Sequence, residues 1–226
     1  VAFSEDSANL RHSAALEEAD WQAERVLSIV QEEGIPPAGA VTLLRKDHEN
    51  RGRNLFAANC ASCHRYNGHD GRGYPVDDAQ SAPELAGFAS VEWITKLLNH
   101  EHYISEEYFG GTKFKNGTMA RKVLAKYTAE EIALLPRIAT LLSDMAELPY
   151  QTPLSEDERE KLLALFYNDD LVFQDGLACI DCHDIDSEEE GHAPDLTGYG
   201  SDEWIIAFLE DYSLPFNLVE LQKINQ

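Results

Sequence analysis

The chain has 226 residues, 43% hydrophobic and 26% charged, with a formal net charge of -23 at pH 7. That length accommodates two small domains, and no apolar run approaches the roughly 18 residues of a membrane span, so a globular chain with no direct membrane span is expected. The acidity argues against nucleic acid and anionic membranes as partners and favours a protein with a basic docking face.

The charge is uneven: residues 148–226 hold 19 acidic and 3 basic residues, against 22 and 15 in residues 1–147. The start, Val1-Ala2-Phe3-Ser4-Glu5-Asp6, has neither the basic region nor the apolar core of a signal peptide, so a mature or excised form is expected.

Residues 5–33 read as one amphipathic helix, with Leu10, Ala14, Trp21, Val26, Ile29 and Val30 near one face. Gly34-Ile35-Pro36-Pro37 ends it, and Val41-Thr42-Leu43-Leu44 is a short packing segment. Residues 1–46 are expected to be a helical arm without chemistry of its own. Glu49 to Asn59 predicts a second helix, with Leu55 and Phe56 inward, running into Cys60.

There the chain reads Cys60-Ala61-Ser62-Cys63-His64, and the pattern recurs as Cys179-Ile180-Asp181-Cys182-His183. C-x-x-C-H attaches a c-type haem, and the two copies use all four cysteines. Two thiols at this spacing each add to one vinyl group of the same porphyrin, and the adjacent histidine is placed under the iron. A redox dithiol or a zinc site of four cysteines also fits the spacing, but leaves the two matched histidines without a role. Two haem c groups are therefore expected, on Cys60, Cys63 and His64 and on Cys179, Cys182 and His183. Attachment of this kind takes place outside the cytoplasm, which implies an exported, periplasmic or otherwise extracytoplasmic protein.

A glycine-rich loop follows from Tyr66 to Gln80, then a helix from about Ser90 to Asn99. Thr128 and Glu131 form a capping box for a helix carrying Ile132, Leu135, Ile138, Leu141 and Leu142, which Pro136 bends or divides. Glu147 to Pro153 reads as a linker, and Ser155 with Glu158 caps a helix from Glu156 to Tyr167. The expectation is an all-α chain: an arm over 1–46 and tandem haem domains over 47–147 and 148–226, the second one short.

The halves match beyond the motif. Ala82-Pro83-Glu84-Leu85-Ala86-Gly87-Phe88 pairs with Ala193-Pro194-Asp195-Leu196-Thr197-Gly198-Tyr199, and Ser90-Val91-Glu92-Trp93-Ile94 with Ser201-Asp202-Glu203-Trp204-Ile205. Duplication of one domain accounts for this. Pro83 and Pro194 are each placed to offer a carbonyl to Nδ1 of the motif histidine, fixing its tautomer. Trp93 and Trp204 are expected in the core.

Met119 lies 55 residues after His64 and suits a sixth ligand for the first iron, which raises its potential relative to His/His ligation. Met145 sits in a helical pattern and reads as core. Residues 206–226 contain no methionine, so the second distal position stays open between a borrowed His12, His48, His69, His100, His102 or Met145, a five-coordinate or water-bound iron, and a ligand outside this sequence; His192 lies two residues before Pro194, on the proximal side.

Two such modules in tandem resemble a di-haem cytochrome c. More narrowly, Gly34 to Ala40, Leu55-Phe56-Ala57, Ser81 to Trp93, Tyr108-Phe109-Gly110 and Asn116-Gly117-Thr118-Met119 resemble the cytochrome c portion of bacterial menaquinol:cytochrome c reductase (cytochrome b/c) complexes. The resemblance implies that Cys60, Cys63, His64 and Met119 hold haem 1, that Cys179, Cys182 and His183 hold haem 2, and that a membrane cytochrome b-type subunit is a partner. One-electron transfer between redox proteins, rather than an enzyme reaction, is the expected function. A di-haem peroxidase or a gas sensor using an open second haem is the alternative.

The acidic run Asp181, Asp184, Asp186 and Glu188 to Glu190 is a candidate docking face beside haem 2. Lys113, Lys115, Arg121, Lys122 and Lys126 form a basic cluster around Met119, expected to face the acidic half.

Overall fold

The computed structural model describes residues 9–76, 79–168, 173, 178–185 and 193–210. They are helical, with no β-strand among them. The chain divides into two compact units, Val1–Ala86 and Gly87–Gln226. This division falls inside the repeated segment, not at 46/47 or 147/148.

In the first unit, α1 spans Leu10–Glu33, α2 Val41–Lys46 and α3 His48–Asn59. Asn9 caps α1 by accepting the amides of Arg11 and His12, and Gly34 ends the helix at φ 75°. The start expected at residues 5–8 lies outside the described residues. Ala14 and Ile29 of the expected face are buried and Trp21, Val26 and Val30 half-buried, but Leu10 is 73% exposed. Glu18 is buried as well, where it meets cations. Its carboxylate pairs with Arg53 at 2.8 Å and Arg72 at 3.6 Å. Arg53 also lies 3.8 Å from the Trp21 ring and donates from Nε to Gly71 O at 3.0 Å. Arg25 grips Asp47 with two hydrogen bonds, 3.1 and 2.6 Å. The arm is thus bound at two points, Glu18 and Arg25, to the helix that leads into Cys60 and its cap. Leu55, expected inward, is 58% exposed; Phe56 packs edge-on against Tyr66 at 6.2 Å.

In the second unit, α4 spans Val91–Leu98 and α5 His100–Tyr103. A 3₁₀ turn at Lys113–Asn116 and a π-helical turn at Met119–Leu124 follow, then α6 (Ala129–Ile132), α7 (Leu135–Met145), α8 (Glu156–Tyr167) and α9 (Asp202–Glu210). The Thr128–Glu131 capping box is made, but α6 lasts one turn, and Pro136 stands in the first turn of α7. Proline lacks the N–H that a continuous helix needs, so it divides the pair, and Ile132 is left exposed. The Ser155–Glu158 box caps α8.

One hydrophobic core joins Trp93, Ile94, Tyr108, Ile138 and Leu141 with Leu165, Phe166, Ile185 and Tyr199. It therefore takes in residues from both halves of the repeat. The segment between them is clamped: Asp144, with its side chain 1% exposed, accepts the Leu154 amide at 2.8 Å and pairs with Arg159. No helix among the described residues is long and apolar enough to cross a membrane.

Candidate haem-attachment sites

The first cysteine–histidine turn grows out of the end of α3. Cys60 is the C-cap residue, and its amide donates to Phe56 O at 2.8 Å. The chain then folds back, with Cys63 N to Cys60 O at 3.1 Å and His64 N to Cys60 O at 2.8 Å. The second turn repeats these bonds: Cys182 N to Cys179 O at 3.2 Å and His183 N to Cys179 O at 2.9 Å.

The proline carbonyls complete both. Nδ1 of His64 lies 2.7 Å from Pro83 O, and Nδ1 of His183 lies 2.8 Å from Pro194 O. A carbonyl accepts only, so each Nδ1 carries the proton and each Nε2 keeps its lone pair for a metal. The match extends outward. Leu85 N donates to Arg65 O and Leu196 N to Asp184 O, both at 2.9 Å. Gly87 and Gly198 take φ 68° and 64°, and Ser90 and Ser201 cap the following helices through Trp93 N and Trp204 N, both at 3.2 Å. Trp93 is buried and Trp204 half-buried, both with the core.

All four cysteines are free thiols. Among the described residues no three His, Cys, Asp or Glu side chains converge on one point. Each turn offers what a haem c requires: two thiols and one imidazole of fixed tautomer on a tight loop. Their environments differ. Cys63 is exposed, and hydrogen bonds from Ser81 and then Ser62 hold its pKa down. Burial pushes the Cys179 thiol up to about 12. Burial also lowers the His183 pKa, which keeps the ring neutral as an iron ligand requires.

Met119 lies in the second unit, half-buried against its core, at the head of a π turn whose Ala125 N reaches Ala120 O at 3.0 Å. Lys113, Lys115, Arg121, Lys122 and Lys126 are all exposed there. His69 is engaged in its own loop, its Nδ1 accepting the Gly71 and Gly73 amides. His12, His48 and His102 are exposed, His100 is half-buried, and Met145 packs against the core. His192, Asp186 and Glu188 to Glu190 lie outside the described residues.

Several supporting residues carried no signal in the sequence. Arg65 is 5% exposed and donates to Ala61 O and His64 O at 2.7 and 2.8 Å, bracing the first turn. Glu84 closes the glycine-rich loop by accepting the amides of Asn67, Gly68 and Ala86. Tyr167 donates to Ile185 O at 2.7 Å and ties α8 to the second turn. Only the repeat, which pairs Glu84 with Asp195, pointed to any of them.

No curated protein and no solved structure matches the chain. Residues 49–136, which include the first motif and Met119, match the cytochrome c family. Domains of that family are usually extracytoplasmic. The match supports a c-type cytochrome over this stretch and electron transfer through a c-type haem.

Proposed function

We propose that the chain carries two haem c groups in tandem and passes single electrons between redox proteins, as a component or partner of a respiratory quinol-oxidising complex. The observation that carries the second haem is the repeated bond pattern, above all Pro83 O to His64 Nδ1 and Pro194 O to His183 Nδ1. In this reading Cys60 and Cys63 anchor haem 1, with His64 and Met119 as its axial ligands. Cys179, Cys182 and His183 hold haem 2, and Pro83 and Pro194 fix the two imidazoles. The bound haem supplies a one-electron iron couple; the protein supplies ligands, tautomer and burial. The acidic second half fits docking by a basic protein in weak, salt-sensitive encounters, and the resemblance to cytochrome b/c complexes supports an exported chain beside a membrane cytochrome b-type subunit.

Peptide mass spectrometry of the exported chain tests the count. Haem is expected on the peptides of Cys60–Cys63 and of Cys179–Cys182, and Cys179→Ala/Cys182→Ala is expected to halve the haem per chain. Haem on the first peptide alone would sink the tandem reading. Replacing Met119 by histidine should lower the potential of one haem; two unmoved potentials would remove Met119 as a ligand.

A further inference from the structure

We infer that Tyr127, a residue of the first sequence module, closes the attachment edge of the second haem and keeps water from it. The inference rests on the reading that Cys179, Cys182 and His183 hold a haem.

Tyr127 follows the π-helical turn and is 8% exposed. Its ring packs 5.3 Å from that of Phe173, which is 4% exposed. Asn168, at the end of α8, holds Phe173 from both sides: its Oδ1 accepts Phe173 N at 3.0 Å and its Nδ2 donates to Phe173 O at 3.2 Å. Tyr127, Phe173, Ala178 and Ile185 are buried in one core, with Cys179 and Ile180 packed against it. The phenol hydroxyl lies within the electrostatic reach of that turn. Burial above all, with the carboxylates of Glu131 and Asp181 adding to it, pushes its pKa up, so it stays neutral.

On this inference Tyr127 and Phe173, buried in the core against which Cys179 and Ile180 pack, bar water from the edge where the thioethers form. The oxidised iron carries one more positive charge than the reduced iron, and water stabilises that charge. Excluding water therefore raises the potential, and admitting it lowers the potential. Tyr127 is thus a positioning residue for haem 2, supplied from outside the sequence module that carries the haem.

The test uses the full chain with its haems attached, titrated potentiometrically while the absorption bands are followed. Tyr127→Ser is expected to lower one of the two potentials, and Tyr127→Phe, which keeps the ring, to leave both in place. The downward shift should vanish in the Cys179→Ala/Cys182→Ala background. If Tyr127→Ser does not fold, Phe173→Thr opens the same edge and should give the same shift. Two haems with unmoved potentials, or a shift that persists without haem 2, would overturn the role of Tyr127 and leave the tandem reading standing. Haem found only on the Cys60–Cys63 peptide would overturn both.

Discussion

Phe88 and Tyr199 hold the same position in the two halves of the repeat, and their rings pack together with centroids 5.6 Å apart. The next pair does the same: a Cβ on Gly200 would lie 2.5 Å from Cβ of Ala89. Contact between equivalent residues is the mark of a self-complementary, two-fold interface, here built within one chain.

Gly200 is the tightest point of that contact. It takes φ 82°, and an added Cβ would also meet Ala146 at 3.1 Å. Gly200→Ala should therefore destabilise by about 1–3 kcal/mol through overpacking, beyond its backbone strain. Gly198, at φ 64°, would meet only Ser201 Oγ at 3.4 Å, so Gly198→Ala should cost about 1 kcal/mol. Denaturant unfolding of the two variants gives the comparison; equal losses would mean that the Ala89 contact is not tight.

The arm reports on pH through Asp47. The hydrogen bond from Arg25 holds the Asp47 carboxyl below the usual carboxylate range, against the opposing effect of burial. A depressed folded pKa contributes stability above the ordinary value near 3.9, lost as pH falls through the folded value. Asp47→Asn should cost about 1 kcal/mol at pH 7, a modest figure because Arg25 is 33% exposed. The gap between wild type and variant should close on acidification. Urea curves at pH 7 and pH 3 would show it, and a constant gap would rule out the ion pair as its cause.

Arg53 holds the arm by charge and by stacking. Arg53→Ala leaves the Glu18 carboxylate buried with a hydrogen bond from Gln22 Nε2 at 2.7 Å and with Arg72 at 3.6 Å as its remaining cation, and should cost about 3 kcal/mol. Adding Glu18→Gln removes the stranded charge and should recover part of that loss. A double-mutant cycle with no recovery would assign the loss to the Trp21 stacking contact instead.

Asp144 clamps the segment between α7 and α8. Asp144→Ala leaves Arg159 and the Leu154 amide without their acceptor, and about 2–4 kcal/mol should be lost. Because one core in the second unit draws on both halves, that unit should still unfold in one step. Two calorimetric steps within residues 87–226 would show that the halves unfold independently.

Much of this was legible in the chain itself. The C-x-x-C-H spacing, the proline placed to meet each histidine, both capping boxes and the span of α8 are local patterns, readable because they depend on a few neighbouring residues. The exposed Leu55 and Leu10 were misread for a related reason: periodicity gives the phase of a helix, but not which neighbour covers which side. Leu10 stands at the first residue of its helix, and Glu18, a charged residue, is buried through Arg53 and Arg72.

The sequence by itself carries the two C-x-x-C-H motifs and the repeated segments that flank them, because covalent spacing and repeated short motifs are readable without knowledge of the fold. Only the tertiary structure brought Tyr127 to Phe173, paired Phe88 with Tyr199, and drew residues of both halves into one core. Those contacts join positions far apart in the chain, and no local periodicity encodes them. They are selected by how side chains fill a shared interior, where shape and burial decide which distant residues meet.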